Sequence, residues 1–276
     1  MSSKKKMILL VGAGMGLVSL LWLAPVYYMV INAFKTFQEV TLDTAAFPTS
    51  VYLENFRTLW SGANYPRLLR NSFIITASSL AGIIFLGSMA GYKIARSKTR
   101  WSFVLLIYFV MTMIIPFQSI MIPLIRLLRM LNLMDSLVGI VLVYIAQLSP
   151  MAIFFYQAAV KSIPPSMEES AKIDGAGTFR TFFQIIFPLL APITATIVIL
   201  HTLWIWNDFL LPLVTLQSRS NHTLSLGTYS LFVGQYGNRM NLGMAAVFMA
   251  TLPMLLVYFV AQRYIVKGIT SGATKG

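Results

Sequence analysis

The sequence predicts an all-α membrane protein with six transmembrane helices, and two observations carry this prediction. Hydrophobic residues make up 57% of the 276 residues and charged residues only 11%, whereas a soluble domain carries about 25% charged residues. Six stretches lack Asp, Glu, Lys and Arg and have about the 20 residues that a helix needs to cross a bilayer. Backbone in lipid must satisfy its own hydrogen bonds, so each stretch is expected to be a helix. The predicted spans of this single domain, residues 1–276, are 7–34, 72–92, 101–125, 136–160, 181–207 and 242–262.

The first span follows Lys4, Lys5 and Lys6 and therefore has the outline of a secretion signal. Its apolar stretch is longer than the core of a signal peptide, and the Leu-Ala-Pro-Val sequence at 23–26 is a poor cleavage site. We therefore expect it to be a retained helix.

Two local patterns predict how the spans bend and pack. Gly-x-x-x-Gly pairs, in which small residues let helices approach closely, occur in spans one and two. They are Gly12 with Gly16 and Gly87 with Gly91. Proline pairs free backbone carbonyl groups and predict bends in spans three and five. They are Pro116 with Pro123 and Pro188 with Pro192.

The distribution of positive charge predicts the side of the membrane on which each loop lies. With the amino terminus in the cytoplasm, thirteen of the 21 Lys and Arg residues fall inside and eight outside, as expected for a multi-pass protein with both termini cytoplasmic. The net charge of +13 is thus explained by topology, and we expect no nucleic-acid partner, although such a charge suggests one in a soluble protein. The lack of cysteine and the presence of only two histidines argue against a thiolate or histidine metal site.

The inner loop at 161–180 is unlike the other connections. Ser166 with Glu169 three residues later forms a capping-box pattern, and Gly175 can take the left-handed conformation that ends a helix. These signals predict a short helix over 167–174, with Thr178 as the N-cap of the fifth span. All three acids predicted inside lie in this helix, which an anionic membrane surface would repel. A lever inserted into another protein fits better, although an amphipathic helix on the membrane remains the alternative.

The same loop resembles the EAA loop of ABC importer permeases. That family's pattern is Glu-Ala-Ala, three residues, Gly, nine residues, Ile, one residue and Leu-Pro. This chain has, in register, Glu169-Ser170-Ala171, Gly175, Ile185, Phe187 and Pro188, with Ser170 and Phe187 as mild departures. The resemblance implies a type I ABC importer permease fold and a location in a bacterial or archaeal cytoplasmic (inner) membrane. It also implies coupling to an ATPase through Glu169, Ser170, Ala171, Asp174 and Gly175.

Two further segments resemble carbohydrate importers in particular. The sequence at 206–213, Trp-Asn-Asp-Phe-Leu-Leu-Pro-Leu, is similar to the end of the fifth span in those permeases. Asn71-Ser72 and the tail at 267–276 are similar to the maltose-type permease, the shorter of a pair. The resemblance implies import of a sugar, in particular an oligosaccharide. Glycerol phosphate or another small solute stays open as cargo. An ion-coupled secondary transporter is disfavoured because the spans are almost free of ionisable residues.

The resemblance also implies partners. No Gly-x-x-x-x-Gly-Lys-Ser/Thr sequence occurs, so this chain is expected to be a permease and not an enzyme, with no cofactor of its own. ATP and Mg would be bound by a separate ATP-binding cassette ATPase dimer. A second permease subunit, an extracytoplasmic solute-binding protein and membrane lipid complete the expected partners. The tail at 263–276 is expected to be unstructured and to insert between the ATPases.

Polar and aromatic residues near the spans are candidates for the sugar pathway. Trp204, Asn207 and Asp208 lie at the outer end of the fifth span, and Gln118 and Gln147 lie within the third and fourth. The alternative is structural: the tryptophan belongs to an interfacial aromatic belt, and the polar residues brace adjacent helices. In the outer loop at 208–241, the resemblance implies contact with the binding protein through Gly227, Gly234 and Tyr236.

Overall fold

The computed structural model describes residues 3–231 and 239–273, with side chains described for 7–8, 10–231 and 239–259. Within these ranges every regular element is helical, as predicted. The helices divide into two compact units. The first contains residues 1–66 and 227–254, and the second contains residues 67–226 and 255–276.

The first unit is built from α1 (Ser3–Ala33), α2 (Phe37–Leu42), α3 (Glu54–Gly62) and the first part of α14 (Met240–Ala273). Its aromatic core joins Phe34, Phe56 and Phe248, whose ring centroids are 4.9 to 5.9 Å apart. None of the residues in the most apolar 18-residue stretch of α1 is buried, so this part of the helix packs against nothing else within this unit. An apolar helix that is exposed all round is suited to lipid or to another subunit.

A true capping box begins α2. The Thr36 hydroxyl accepts a hydrogen bond from the Glu39 amide, while the Glu39 carboxylate accepts one from the Thr36 amide. Glu39 also accepts bonds from the hydroxyl and the amide of Thr49. The Thr49 and Thr36 hydrogen bonds lower the pKa of Glu39 to about 2, so the carboxylate that organises this turn stays charged at any physiological pH.

The second unit carries the remaining helices. Its elements are α4 (Tyr65–Arg96), α5 (Arg100–Thr112), α6 (Phe117–Met130), α7 (Leu137–Lys161), α8 (Ser166–Ile173), α9 (Thr178–Thr181), a π-helical turn (Phe182–Ile186), α10 (Phe187–Leu189), α11 (Ala191–Asn207), α12 (Leu210–Thr215), a 3₁₀ turn (Arg219–Asn221) and α13 (Leu224–Ser230). All of α4 after Pro66 lies in this unit, whereas α13 is divided, with Leu224–Leu226 in this unit and its last four residues in the first.

Four helical segments of the described chain are long and apolar enough to cross a membrane. They are Leu10–Ala33, Tyr65–Arg96, Leu137–Lys161 and Met240–Phe259. Two helix pairs pass the same test but are bent, α5 with α6 by 98° and the α9–α10 segment with α11 by 72°. The count reaches six, the number predicted, if each bent pair is one span. Both bends lie beside a predicted proline pair.

The third predicted span, 101–125, is not one continuous helix. The α5 helix ends at Thr112, and α6 starts after Pro116, which is extended at φ −67° and ψ 138°. With 13 residues, α5 is only about 20 Å long, shorter than the hydrocarbon core of about 30 Å. The α6 helix is amphipathic, with Leu128 buried and Arg126 and Arg129 exposed. This pattern is typical of a helix at the membrane interface.

The glycine prediction is confirmed in α4. A Cβ atom on Gly87 would lie 2.9 Å from the Cβ of Ala152, and one on Gly91 would lie 2.7 Å from the Cβ of Tyr156. The α4 and α7 helices therefore touch through glycine. In α1, by contrast, nothing in the described chain lies within 4 Å of a Cβ built on Gly12 or Gly16.

The prediction of an unstructured tail at 263–276 is wrong over most of its length, because α14 continues to Ala273. Helix propagation costs little once a long helix exists, and no proline follows Pro253 to stop it. The glycines at 268 and 272 weaken the helix without ending it before Ala273.

Candidate coupling and transport site

The helix of the inner loop, α8, begins one residue earlier than predicted and lacks the predicted capping box. Pro165 is its N-cap, with helical φ and ψ of −59° and −25°, and no side chain caps the first turn. Ser166 therefore lies inside the helix, where its carbonyl oxygen accepts from the Ser170 hydroxyl at 3.0 Å. Thr178 is likewise not an N-cap, since Gly177 holds that position.

The end of α8 is as predicted. Gly175 has a φ of +77°, the left-handed conformation that glycine adopts without a steric penalty. The Ala176 amide then donates to the Ala171 carbonyl oxygen at 2.9 Å. The chain turns sharply here, so the direction in which it leaves α8 depends on this residue.

One face of α8 is fastened to the carboxyl end of α4. Glu168, only 8% exposed, accepts hydrogen bonds from the Tyr92 hydroxyl at 2.8 Å and from Arg96 Nε at 2.6 Å. Arg96 Nη2 donates in addition to the Ile163 carbonyl oxygen at 2.9 Å, just before α8. The resemblance to the EAA loop points to the neighbouring Glu169, and it does not reveal Glu168 as the anchor. The signal that could have found it is the i, i+3 spacing of Glu168 and Ala171 on one face.

The opposite face of α8 is free. Glu169, Ser170, Asp174 and Gly175 are exposed, as a surface that contacts a partner requires. Ala171 is different: it is only 4% exposed and lies against its own chain, not on the exposed face of α8. Three large apolar residues next to the exposed polar ones also face outward. They are Met167 (40% exposed), Ile173 (86%) and Phe179 (69%).

A polar seam joins α7 and α11, the helices on either side of the inner loop. Thr194 and His201 are seven residues apart on one face of α11, and Asp208, seven residues further on, is the C-cap of that helix. The Tyr156 hydroxyl is 2.9 Å from the Thr194 hydroxyl, and His201 Nε2 is 3.2 Å from the Leu148 carbonyl oxygen. At the end of α11 the Tyr144 hydroxyl donates to the Asp208 carboxylate at 2.8 Å. Three hydrogen-bonding contacts thus couple the two helices along their length.

The candidate pathway residues do not form one site. Asp208 also accepts from the Leu210 amide at 3.0 Å, which together with Tyr144 supports the bracing interpretation for its carboxylate. Asn207 donates to the Leu203 carbonyl oxygen of its own helix, and Trp204 is 58% exposed. Gln118 is exposed on α6. Gln147 lines a largely apolar cavity of about 410 Å³ between α5, α6 and α7, whose lining includes none of the residues at the end of α11.

The predicted outer loop at 208–241 contains α12, a 3₁₀ turn and α13 in its described part. Asn71, fully buried, donates to the carbonyl oxygens of Ser220 and His222 at 2.8 and 3.0 Å. The Ser72 hydroxyl accepts from the Leu224 amide at 2.8 Å. The Asn71-Ser72 pair therefore holds this segment against α4.

Of the predicted contacts with a binding protein, Gly227 is buried within α13 and does not lie on an open loop. Gly234 and Tyr236 lie outside the described residues.

Asp135 clamps the same segment from the turn between α6 and α7. Its carboxylate accepts from the amides of Gln217 and Ser218, each at 3.0 Å, and from the Ser218 hydroxyl. Although partial burial opposes ionisation, hydrogen bonds from Ser218, Asn221 and Gln217 lower the pKa of Asp135. Because the folded-state pKa is lowered, the clamp is complete above pH 4 or so and weakens only as the pH falls through the lowered value.

We expect Asp135→Ala to release the segment that contains the exposed Arg219. Losing several charge-assisted hydrogen bonds should speed tryptic cleavage after Arg219 by about tenfold or more. The measurement is limited proteolysis of the purified protein at neutral pH, followed by mass spectrometry. Glu54→Ala, which removes an exposed carboxylate with one long contact of 3.9 Å to Arg57, is the control and should leave cleavage unchanged. Equal cleavage rates in both variants would contradict the clamp.

Comparisons with known proteins agree with this architecture. The family model for binding-protein-dependent transport system inner membrane components matches residues 83–271. The probable starch degradation products transport system permease protein of Thermoanaerobacterium thermosulfurigenes is 39% identical over 257 residues, 93% of each chain. The melibiose/raffinose/stachyose import permease protein of Bacillus subtilis is 36% identical over 231 residues, 83% of each chain.

A solved structure shares the fold. One chain in the crystal structure of a bacterial ABC transporter that imports the acidic polysaccharide alginate superposes with a TM-score of 0.83 at 22% identity, covering 96% of this chain and 98% of that chain. The fold is that of a type I ABC importer permease, a multi-pass membrane protein. The match of the family model over more than half of the sequence, together with the identity to these permeases, decides the assignment. This chain belongs to the family of binding-protein-dependent transport system inner membrane components.

Proposed function

We propose that this chain is one of two permease subunits of an ATP-driven oligosaccharide importer. The similar permeases named above are those of transport systems for starch degradation products and for melibiose, raffinose and stachyose. The similar alginate transporter also imports a polymer of sugar units. These names favour an oligosaccharide over glycerol phosphate as the cargo.

The observation that best supports a coupling role is that the two faces of α8 differ. Its inner face is fixed to α4 through Glu168 and Arg96, which gives the helix a defined position. Its outer face presents Glu169 and Asp174 beside the exposed Ile173. A rigidly held helix with exposed apolar and acidic groups is suited to insertion into a cleft that carries positive charge. We assign that cleft to a separate ATPase dimer, which binds ATP and Mg and hydrolyses the nucleotide.

The other partners follow from the same proposal. A second permease would complete the pathway and cover the exposed apolar faces of this subunit. A solute-binding protein would deliver the sugar, as a periplasmic protein carrying an alginate pentasaccharide is bound to the alginate transporter in a further structure with a TM-score of 0.69. Trp204 and Asn207, exposed at the end of α11, are the pathway residues best placed to meet the sugar. The excess of Lys and Arg in the predicted inner loops supports a cytoplasmic location for both termini.

The complete lack of cysteine allows a direct test of orientation and docking. We expect Ile173→Cys to react with a membrane-impermeant maleimide only from the cytoplasmic side, and to be protected when the ATPase is co-expressed. Phe47→Cys, at a position that is 74% exposed in a predicted outer segment, is the matched control and should react from outside in both cases. Labelling of Ile173→Cys from outside would overturn the orientation. Unchanged labelling in the presence of the ATPase would overturn the docking role.

A further inference from the structure

The first unit contains a pocket that the transport mechanism described above does not use. Its volume is about 710 Å³, within the range of roughly 300 to 1,000 Å³ that is typical of small-molecule sites. Three segments build it: the start of α2, the start of α3 and, far along the sequence, the start of α14. With the orientation proposed above, the pocket opens on the extracytoplasmic side.

The floor of the pocket is a rigid amide network. Asn55 and Asn241 are 1% and 5% exposed. Asn55 Nδ2 donates to the carbonyl oxygens of Ala33 and Lys35 at 2.9 and 2.8 Å, and Asn241 Nδ2 donates to Asn55 Oδ1 at 2.7 Å. These bonds fix both side chains before any ligand arrives. The remaining acceptor, Asn241 Oδ1, is buried without a hydrogen-bond partner among the described residues. It is one of six such buried oxygens in the described residues, and the one among them whose residue lines this pocket, so a ligand group bound here could satisfy it.

The walls combine aromatic and charged groups. Phe37 and Tyr52 line the pocket and remain 45% and 38% exposed, so both side chains are accessible to a ligand. Glu54 and Arg239 line the same pocket and carry opposite charges. The carboxylate disfavours an anionic ligand and the guanidinium disfavours a cationic one, while together they provide acceptors and donors. A neutral ligand with many hydroxyl groups satisfies all of these features.

We propose that this pocket is an extracytoplasmic saccharide-binding site, separate from the pathway residues at the end of α11. The hydroxyl groups of the saccharide would donate to Asn241 Oδ1 and Glu54 and accept from Arg239. The apolar face of a sugar ring would lie against Phe37 or Tyr52. The choice of a saccharide among polyhydroxylated ligands rests on the proposed function.

The test uses the assembled importer in lipid nanodiscs without its binding protein. Saccharide binding is measured by saturation-transfer NMR and calorimetry, with raffinose and maltotriose as probes. Direct binding to the wild-type complex is expected. The double variant Phe37→Ala/Tyr52→Ala, which removes both stacking faces, should bind about tenfold more weakly. Phe47→Ala is the matched control: it removes an exposed aromatic ring of the same unit that does not line the pocket.

A second variant tests whether weaker binding could come from a folding defect. Arg239→Gln changes an exposed position and is expected to weaken saccharide binding while the complex still assembles. Wild-type saccharide affinity in both pocket variants would overturn the proposal. A pocket variant that loses affinity for the sugar-free binding protein but keeps its affinity for the saccharide would also overturn the proposal. The pocket would then be a contact with that protein. Failure of the proposed function looks different: the wild-type complex would show no ATP hydrolysis that depends on a saccharide-loaded binding protein.

Discussion

Glu168→Ala is expected to abolish most uptake by uncoupling α8 from the membrane domain. The change removes the acceptor of both Tyr92 and Arg96 and leaves the guanidinium in a mostly buried position without its carboxylate. Breaking a buried ion pair by removing one partner costs about 3 kcal/mol or more, enough to let α8 leave its position. We therefore expect a fall of at least about tenfold in saccharide uptake by proteoliposomes. ATP hydrolysis should continue without depending on the saccharide-loaded binding protein.

A double-mutant cycle separates anchoring from a general loss of stability. Arg96→Ala alone should also reduce uptake, and Glu168→Ala/Arg96→Ala should be little worse than either single variant because the two side chains act as one unit. Lys98→Ala, at an exposed position just beyond the end of α4, is the control and should transport normally. Additive losses in the double variant, or normal uptake in Glu168→Ala, would show that this ion pair does not hold the coupling helix.

The two Ser/Thr-x-x-Glu patterns in the chain show how far local sequence rules reach. At Thr36 and Glu39 the reciprocal hydrogen bonds of a capping box are present. At Ser166 and Glu169 the same pattern is not a cap. The difference lies in the preceding residue, because Pro165 already has helical dihedral angles and moves the helix start before Ser166. A proline is well suited to the start of a helix, so Pro165 marks the start of α8 better than Ser166 does.

The approximate positions of the apolar segments and the short helix of the inner loop could be predicted from the sequence, because both depend on local composition and spacing. The buried face of α8 could not. Glu168 and Glu169 are adjacent acids, and the choice between them depends on Arg96, 72 residues away. For the same reason the two Gly-x-x-x-Gly pairs looked equivalent in the sequence. Which pair packs within the chain depends on the helix that lies opposite.

Gly91→Val is expected to prevent normal packing of α4 against α7. A Cβ atom at this position would lie 2.7 Å from the Tyr156 Cβ and 3.0 Å from the backbone atoms Gln157 N and Ile153 O. Because two of these neighbours are backbone atoms of a helix, no side-chain rotation can make room. Overpacking of this kind costs about 1 to 3 kcal/mol and occasionally more. We expect a clear fall in the thermal midpoint of the detergent-purified protein and reduced levels in the membrane.

Gly16→Val in α1 is the matched control, since it makes the same change in the same type of motif. Nothing within the described chain lies within 4 Å of a Cβ at Gly16, so the midpoint of the isolated subunit should not change. If α1 packs against a second permease, as its exposed apolar surface suggests, Gly16→Val should act only on assembly with that partner. A lower midpoint for Gly16→Val in the isolated subunit, or an unchanged one for Gly91→Val, would contradict these assignments. The pair of variants therefore separates packing within this subunit from packing between subunits.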